Sequence, residues 1–230
     1  MKKIGILLFI GISILHLFFE WNGEQTKLYF SKPLLMPVLA AWYWWSLRKP
    51  RQLKTFDYTI LAALFFSCLG DILLLPDKEG SAISFEAGLG SFLLAHLFYI
   101  RSFVIYPPKK WIVKISIALL FFGVGIALIF YLWPDIPSSL IVPILLYAFT
   151  ICLMGITAYG MLEKVGTSIG MLIVYGALIF ILSDSLIAIN KFKLGQQIWM
   201  PRLSIMITYL LAQYLIVWGA IKASNGLKKQ

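Results

Sequence analysis

Residues 169–190 read IGMLIVYGALIFILSDSLIAIN, an unbroken apolar run with one charged side chain, Asp184. At a rise of ~1.5 Å per residue, a stretch of this length crosses the ~30 Å hydrocarbon core of a bilayer as an α-helix. In lipid the backbone N–H and C=O groups have no water to bond, so they must be satisfied inside the segment, and a helix does this. The run is therefore read as a membrane span with a carboxylate inside it.

Working outward, seven further runs bounded by charge, proline or glycine follow the same rule: Ile4–Phe19, Pro33–Leu47, Tyr58–Leu75, Gly88–Tyr106, Trp111–Trp133, Leu140–Met161 and Met200–Ile221. The first two are short and need flanking residues, or a locally thin bilayer, to complete a crossing. The polar segments between runs are too brief for a soluble domain. The expected architecture is all-α: a single membrane domain over 1–230, a polytopic transmembrane bundle of eight helices. Composition agrees, with 60% hydrophobic and 13% charged residues and a mean hydropathy of +0.87. A soluble chain carries about 25% charged residues. Aromatic side chains make up 16%, in keeping with amphipathic rings at the headgroup level.

The net charge of +10 does not point to nucleic acid, because the Lys and Arg residues sit in short loops, where they set topology. Most, including Lys2, Lys3, Arg48, Lys49, Arg51, Lys109, Lys110 and Lys228, fall on the side of the two termini; Lys27, Lys32, Lys78, Lys191, Lys193 and Arg202 fall opposite. Both termini are expected to be cytoplasmic, in a multi-pass protein of a bacterial cytoplasmic (inner) membrane. The opening Met1-Lys2-Lys3 and apolar run resemble a secretory signal. Glu20-Trp21-Asn22-Gly23 follows where a small-residue cleavage site would stand, so a retained first span is expected. Cys68 and Cys152 lie far apart inside apolar runs and read as reduced, packed thiols.

Ionisable groups within the runs are few and costly, about 2.5–3.5 kcal/mol for an aspartate at a helix centre. They are Asp71, in Ser67-Cys68-Leu69-Gly70-Asp71, Asp184, in Leu182-Ser183-Asp184-Ser185-Leu186, and the two histidines, His16 and His96. Counted from the cytoplasmic ends of their spans, Asp71 lies about 20 Å and Asp184 roughly 22 Å along, in the outer half of the bilayer. His96 lies about 12 Å below the outer boundary, so a shared layer is expected. Tyr99, three residues on, shares a helical face with His96, between Phe92 and Phe103. Asn190 ends its span on the outer side, and Lys32 stands just before Pro33 at the outer mouth of the second run. A lysine there attracts a phosphate from the outer leaflet or simply snorkels to the interface. His16 reads as a hydrogen-bonded packing residue, whereas His96 and Tyr99 are open between site and core.

A carboxylate in a bilayer reads by default as a functional group. Two acids in a dry site divide the work: one stays protonated as a general acid while its ionised partner orients water. That suits acid-catalysed cleavage of an activated C–O bond. The sequence has no metal-ligand spacing, nucleophile elbow or glycine-rich phosphate loop, so no cofactor is called for. The competing reading is a small proton-coupled transporter or carrier using the same groups as a relay.

Taken together, these residues resemble the YhhN family of lysoplasmalogenase-like membrane proteins. The resemblance rests on the eight-span layout, on Lys32-Pro33, on Gly70-Asp71 and on the Phe85/Gly88/Phe92/His96/Tyr99 array. It rests also on Gly176-Ala177, Phe180, Ser183-Asp184-Ser185 and Asn190-Lys191-Phe192. It implies hydrolysis of the vinyl-ether bond of lysoplasmalogens, giving a fatty aldehyde and glycerophosphoethanolamine or glycerophosphocholine. It also implies that the two intramembrane aspartates, Asp71 and Asp184, are catalytic, with Lys32, His96, Tyr99 and Asn190 in support. The partners implied are a lysophospholipid with a vinyl-ether chain and membrane lipids, the chain lying between helices.

Overall fold

The computed structural model describes residues 2–47, 53–75, 82–105, 115–193 and 200–227. Among these there is no strand. The chain forms eight α-helices: α1 (Lys2–Trp21), α2 (Gln25–Ser46), α3 (Thr55–Leu73), α4 (Ala82–Val104), α5 (Ile115–Leu132), α6 (Ile141–Val165), α7 (Thr167–Phe192) and α8 (Pro201–Leu227). Two short 3₁₀ turns, Trp133–Asp135 and Ser138–Leu140, lead from α5 to α6. Seven of the eight helices are long and apolar enough to cross a membrane, which makes this a multi-pass membrane protein. The remaining one, α2, has the length at 22 residues but carries Lys27 and Lys32.

The first two spans are completed by polar flanks. Helix α1 runs on to Trp21, and α2 begins at Gln25, eight residues ahead of the apolar run read from Pro33. Helix α4 likewise starts at Ala82, ahead of Gly88. The expected end of the fourth span at Tyr106 and start of the fifth at Trp111 lie outside the described residues. The helices group into two compact units, one of residues 1–105 with 220–230, the other of residues 106–219.

In the first unit, α2 packs between α1 and α3 through polar contacts that hydropathy does not reveal. His16 shares a 2.8 Å hydrogen bond with Ser31, the packing role expected for it. Pro37 lacks the N–H that would normally reach the carbonyl of Pro33. That carbonyl instead accepts a 3.5 Å hydrogen bond from the Cys68 thiol of α3, so the second proline both opens α2 and supplies an interhelical contact. At the start of α3, Asp57 is fully buried. It accepts hydrogen bonds from the Tyr43 hydroxyl at 2.7 Å and from the backbone N–H of Lys54 at 3.0 Å, capping α3 while tying it to α2. Near the C-terminus, Asn225 donates to the Ser46 carbonyl at 3.2 Å.

Helices α3 and α4 meet along a small-residue seam. A Cβ on Gly70 would fall 2.7 Å from the Phe92 ring, and one on Gly88 would fall 2.6 Å from the Leu74 side chain. Ser91 donates to the Phe66 carbonyl at 2.7 Å, and Phe66 stacks on Phe98. These contacts fix an antiparallel register in which Gly70 faces the turn of α4 between Gly88 and Phe92.

In the second unit, the α6–α7 connection is a single residue, Gly166, with φ +83°. That value belongs to glycine, which turns the chain back without a Cβ clash. The two helices stay close because Gly170 leaves no room for a side chain against the Leu162 backbone. Helix α8 packs on α7 through Gly176 against Ile216, Phe180 edge-on to Tyr209, and a 3.1 Å hydrogen bond from Ser183 to the Ile205 carbonyl. Helix α5 is the most exposed to lipid, burying only Phe121 and Leu132. Its C-terminal end is held by an ion pair between Asp135 and Lys193, whose ammonium also lies 4.7 Å from the Tyr131 ring.

The Asp57 arrangement predicts the effect of Tyr43→Phe. A buried carboxylate that loses a hydrogen bond costs about 1–3 kcal/mol. The variant should show a lower thermal transition in detergent, with unchanged helicity by circular dichroism below it.

Candidate active site

The first unit sets Asp71 in the last turn of α3, where it is 2% exposed. Facing it is Lys32 of α2, whose Nζ lies 3.6 Å from Oδ1; the lysine side chain is 13% exposed. Lys32 lies two turns into α2, which begins at Gln25. Its charge is spent on a carboxylate within the same unit. The separation is that of an ion pair and is longer than a direct hydrogen bond. Glycine at position 70 lets the Phe92 ring close over this turn of α3, excluding lipid and water from one side of the pair.

His96 and Tyr99 are both fully buried in α4. Tyr99 stacks on Phe103 with ring centroids 6.0 Å apart, which continues the face read from sequence. His96 follows one turn after Phe92, whose ring closes over Gly70 beside Asp71.

In the second unit, Asp184 lies in the C-terminal part of α7 and accepts a short hydrogen bond from the Tyr147 hydroxyl of α6. Both side chains are partly buried. They line a cavity of about 60 Å³ closed mainly by aliphatic groups of α5, α6 and α7, with Ser185 as a further polar neighbour. Its size admits a few water molecules, each needing at least ~10–15 Å³. Asn190 is exposed at the C-terminal end of α7 and is not among the residues lining this cavity. Tyr147 was not picked out from the sequence, although a phenol in the middle of the run Leu140–Met161 is a signal. A buried tyrosine hydroxyl needs a partner, and nothing in the spacing of α6 says which residue provides it.

What these groups can do follows from their surroundings. Asp71 with Lys32 is a carboxylate matched by a cation in a low-dielectric setting. Asp184 with Tyr147 is a carboxyl group among hydrocarbon walls, beside space for water. An acid that can hold a proton next to water, and a charged acid with its counter-ion, are the components of general acid catalysis with electrostatic stabilisation of a developing cation.

Comparison with known proteins places the chain. The YhhN family matches residues 28–220, and the chain belongs to that family. Lysoplasmalogenase TMEM86B of Sus scrofa is 33% identical over 156 residues, covering 67% of this chain and 59% of that protein. Lysoplasmalogenase TMEM86A of Homo sapiens is 31% identical over 167 residues, covering 71% and 65%. A lysoplasmalogenase of Mycobacterium bovis is 31% identical over 166 residues, covering 70% and 59%. The matches thus extend over about three-fifths of the length of these relatives. No solved structure matches the chain significantly.

The Lys32–Asp71 pair makes a prediction of its own. Removing one member of a buried pair leaves an uncompensated charge and costs about 3–5 kcal/mol, whereas removing both is far milder. Lys32→Met should therefore lower the thermal transition markedly, and Lys32→Met combined with Asp71→Asn should recover most of the loss. A loss in the double variant equal to the sum of the losses in Lys32→Met and Asp71→Asn would show that the two side chains are not coupled.

Proposed function

We propose that this member of the YhhN family is a membrane hydrolase that cleaves the vinyl-ether bond of lysoplasmalogens. Its products would be a fatty aldehyde and glycerophosphoethanolamine or glycerophosphocholine. The observation that carries the reading is Asp184, an acid inside a span, bonded by Tyr147 at the wall of a water-sized apolar cavity. The relatives named lysoplasmalogenase support it.

The chemistry suits an acid in such a setting. A vinyl ether is an electron-rich alkene, and protonation at its β-carbon leaves an oxocarbenium ion at the carbon bearing oxygen. Water adds to that carbon and gives up a proton, and the resulting hemiacetal collapses to aldehyde and alcohol. Neither an oxidant nor a metal is needed to balance these steps. Asp184 is assigned the role of general acid, with Tyr147 positioning its carboxyl group. Asp71, whose counter-ion is Lys32, is assigned the role of the ionised carboxylate that stabilises the cation and directs water. His96, Tyr99 and Asn190 are supporting residues, and Lys32 doubles as a headgroup contact. We assign both termini to the cytoplasmic side from the asymmetry of Lys and Arg between the loops.

A second reading, a proton-coupled carrier, draws on one observation: α2 carries prolines at positions 33 and 37 within the helix, and broken helices are a feature of transporters. Purified protein in detergent separates the two. With an alkenyl lysophospholipid, the wild type should release aldehyde. Asp71→Asn and Asp184→Asn should each lose about 10²–10⁴-fold in kcat. The double variant should be little worse than the worse single one, as for groups that act as a unit. Tyr147→Phe should lose about tenfold in kcat with KM unchanged, the value of one ordinary hydrogen bond. Wild-type rates in both aspartate variants would remove the acid-pair mechanism. Absence of aldehyde with several headgroups, together with flux in liposomes, would favour the carrier.

A further inference from the structure

The second unit contains a larger space whose chemistry is entirely apolar. Between α5 and α6 runs an open groove of about 700 Å³, walled by Phe122, Ile126, Ile129, Phe130, Leu145 and Phe149 among others. Its volume falls within the ~300–1,000 Å³ range of small-molecule sites. The groove and the Asp184 cavity share four lining residues: Gly125, Ile129, Ala148 and Cys152. Three of the four are small, so the wall between the two spaces is thinnest where they meet. Glycine at position 125 is what lets the Cys152 thiol fit, since a Cβ there would fall 2.7 Å from Sγ. The seam is also polar-satisfied, the Cys152 thiol donating to the Phe121 carbonyl at 3.2 Å.

We propose that the α5–α6 groove holds the hydrocarbon chain of a single-chain lipid and presents its proximal end to Asp184 through the seam at Gly125, Ala148 and Cys152. This rests on the hydrolase reading and specifies how that substrate is bound. Three observations carry it. The cavity at Asp184 is far too small for a lipid chain, so the chain must lie elsewhere. The groove has hydrocarbon walls and adjoins that cavity directly. Helix α5 buries little of its surface, which leaves the groove open to a chain arriving from the bilayer. A lipid entering this way exchanges one hydrocarbon environment for another, so chain transfer costs little and the polar end sets orientation. The groove also follows α5 from Phe122 to Trp133, roughly 16 Å at the helical rise, which makes chain length a selected property.

The groove walls can be filled without touching the acids. Ile126→Trp and Leu145→Trp place indoles in the groove from exposed wall positions, and Ile10→Trp on exposed α1 serves as a control. The direct probe is a non-hydrolysable alkyl lysophosphocholine with a diazirine at mid-chain, cross-linked to the full-length protein in detergent and mapped by mass spectrometry. Cross-links should fall on residues 122–133 and 145–152, be lost in the two groove variants at unchanged thermal transition, and persist in Ile10→Trp. For hydrolysis, the groove variants should raise KM for a long-chain substrate about tenfold, a change of about 1.4 kcal/mol. A propenyl analogue should be cleaved at the wild-type rate.

Cross-links elsewhere, or equal labelling by a diacyl phosphatidylcholine probe, would overturn the groove assignment even if aldehyde is released. Cross-links in the groove from a protein that releases no aldehyde would uphold lipid binding there and overturn the hydrolase reading instead.

Discussion

A carboxylate placed in hydrocarbon must find a partner from its own protein, since the bilayer offers none. Much of the arrangement around the two intramembrane aspartates follows from that requirement. Asp71 is matched by Lys32 from the neighbouring helix, which obliges α2 to begin early enough to carry the lysine inward. Asp184 is matched by the Tyr147 hydroxyl, which obliges α6 and α7 to stay close. The one-residue link at Gly166 and the close approach at Gly170 keep them so. Partners of different kinds give the two acids different characters. A cation suits a charged carboxylate; a phenol beside aliphatic walls and a space of water size suits an acid that passes a proton.

The same requirement accounts for a third buried acid with no catalytic assignment. Asp57 is capped by the Lys54 backbone and the Tyr43 hydroxyl at the start of α3. Its hydrogen bonds are local and its work is to start a helix. Burial alone therefore does not mark a site. What separates Asp184 from Asp57 is adjacent space: the former borders a cavity that a reacting molecule can enter.

Eight helices were legible because hydropathy over a bilayer's thickness is a strong signal, and both intramembrane acids stood out as interruptions of it. Helix ends were less legible. The residues Gln25-Thr26-Lys27 are helical yet polar, so a hydropathy reading stops where lipid contact stops and misses the rest of α2. Helix α4 likewise begins six residues ahead of the run read from Gly88. Asp57 fell outside every apolar run and drew no notice. The Tyr147–Asp184 bond joins residues 37 positions apart, and the groove joins faces of two helices. Pairings of that kind depend on how helices rotate and pack, which no single helix's periodicity records.

The central claim is that an acid protonates carbon, and that step leaves a label. Hydrolysis of an alkenyl lysophospholipid in D₂O, with the aldehyde trapped at once by borohydride reduction, can be read by mass spectrometry of the resulting alcohol. Protonation at the β-carbon predicts one deuterium bound at carbon 2 of the released chain, with none in control alcohol made from authentic aldehyde under the same conditions. An alcohol without carbon-bound deuterium at that position would contradict the account, because the ether would then have been cleaved by a route that never protonates the alkene.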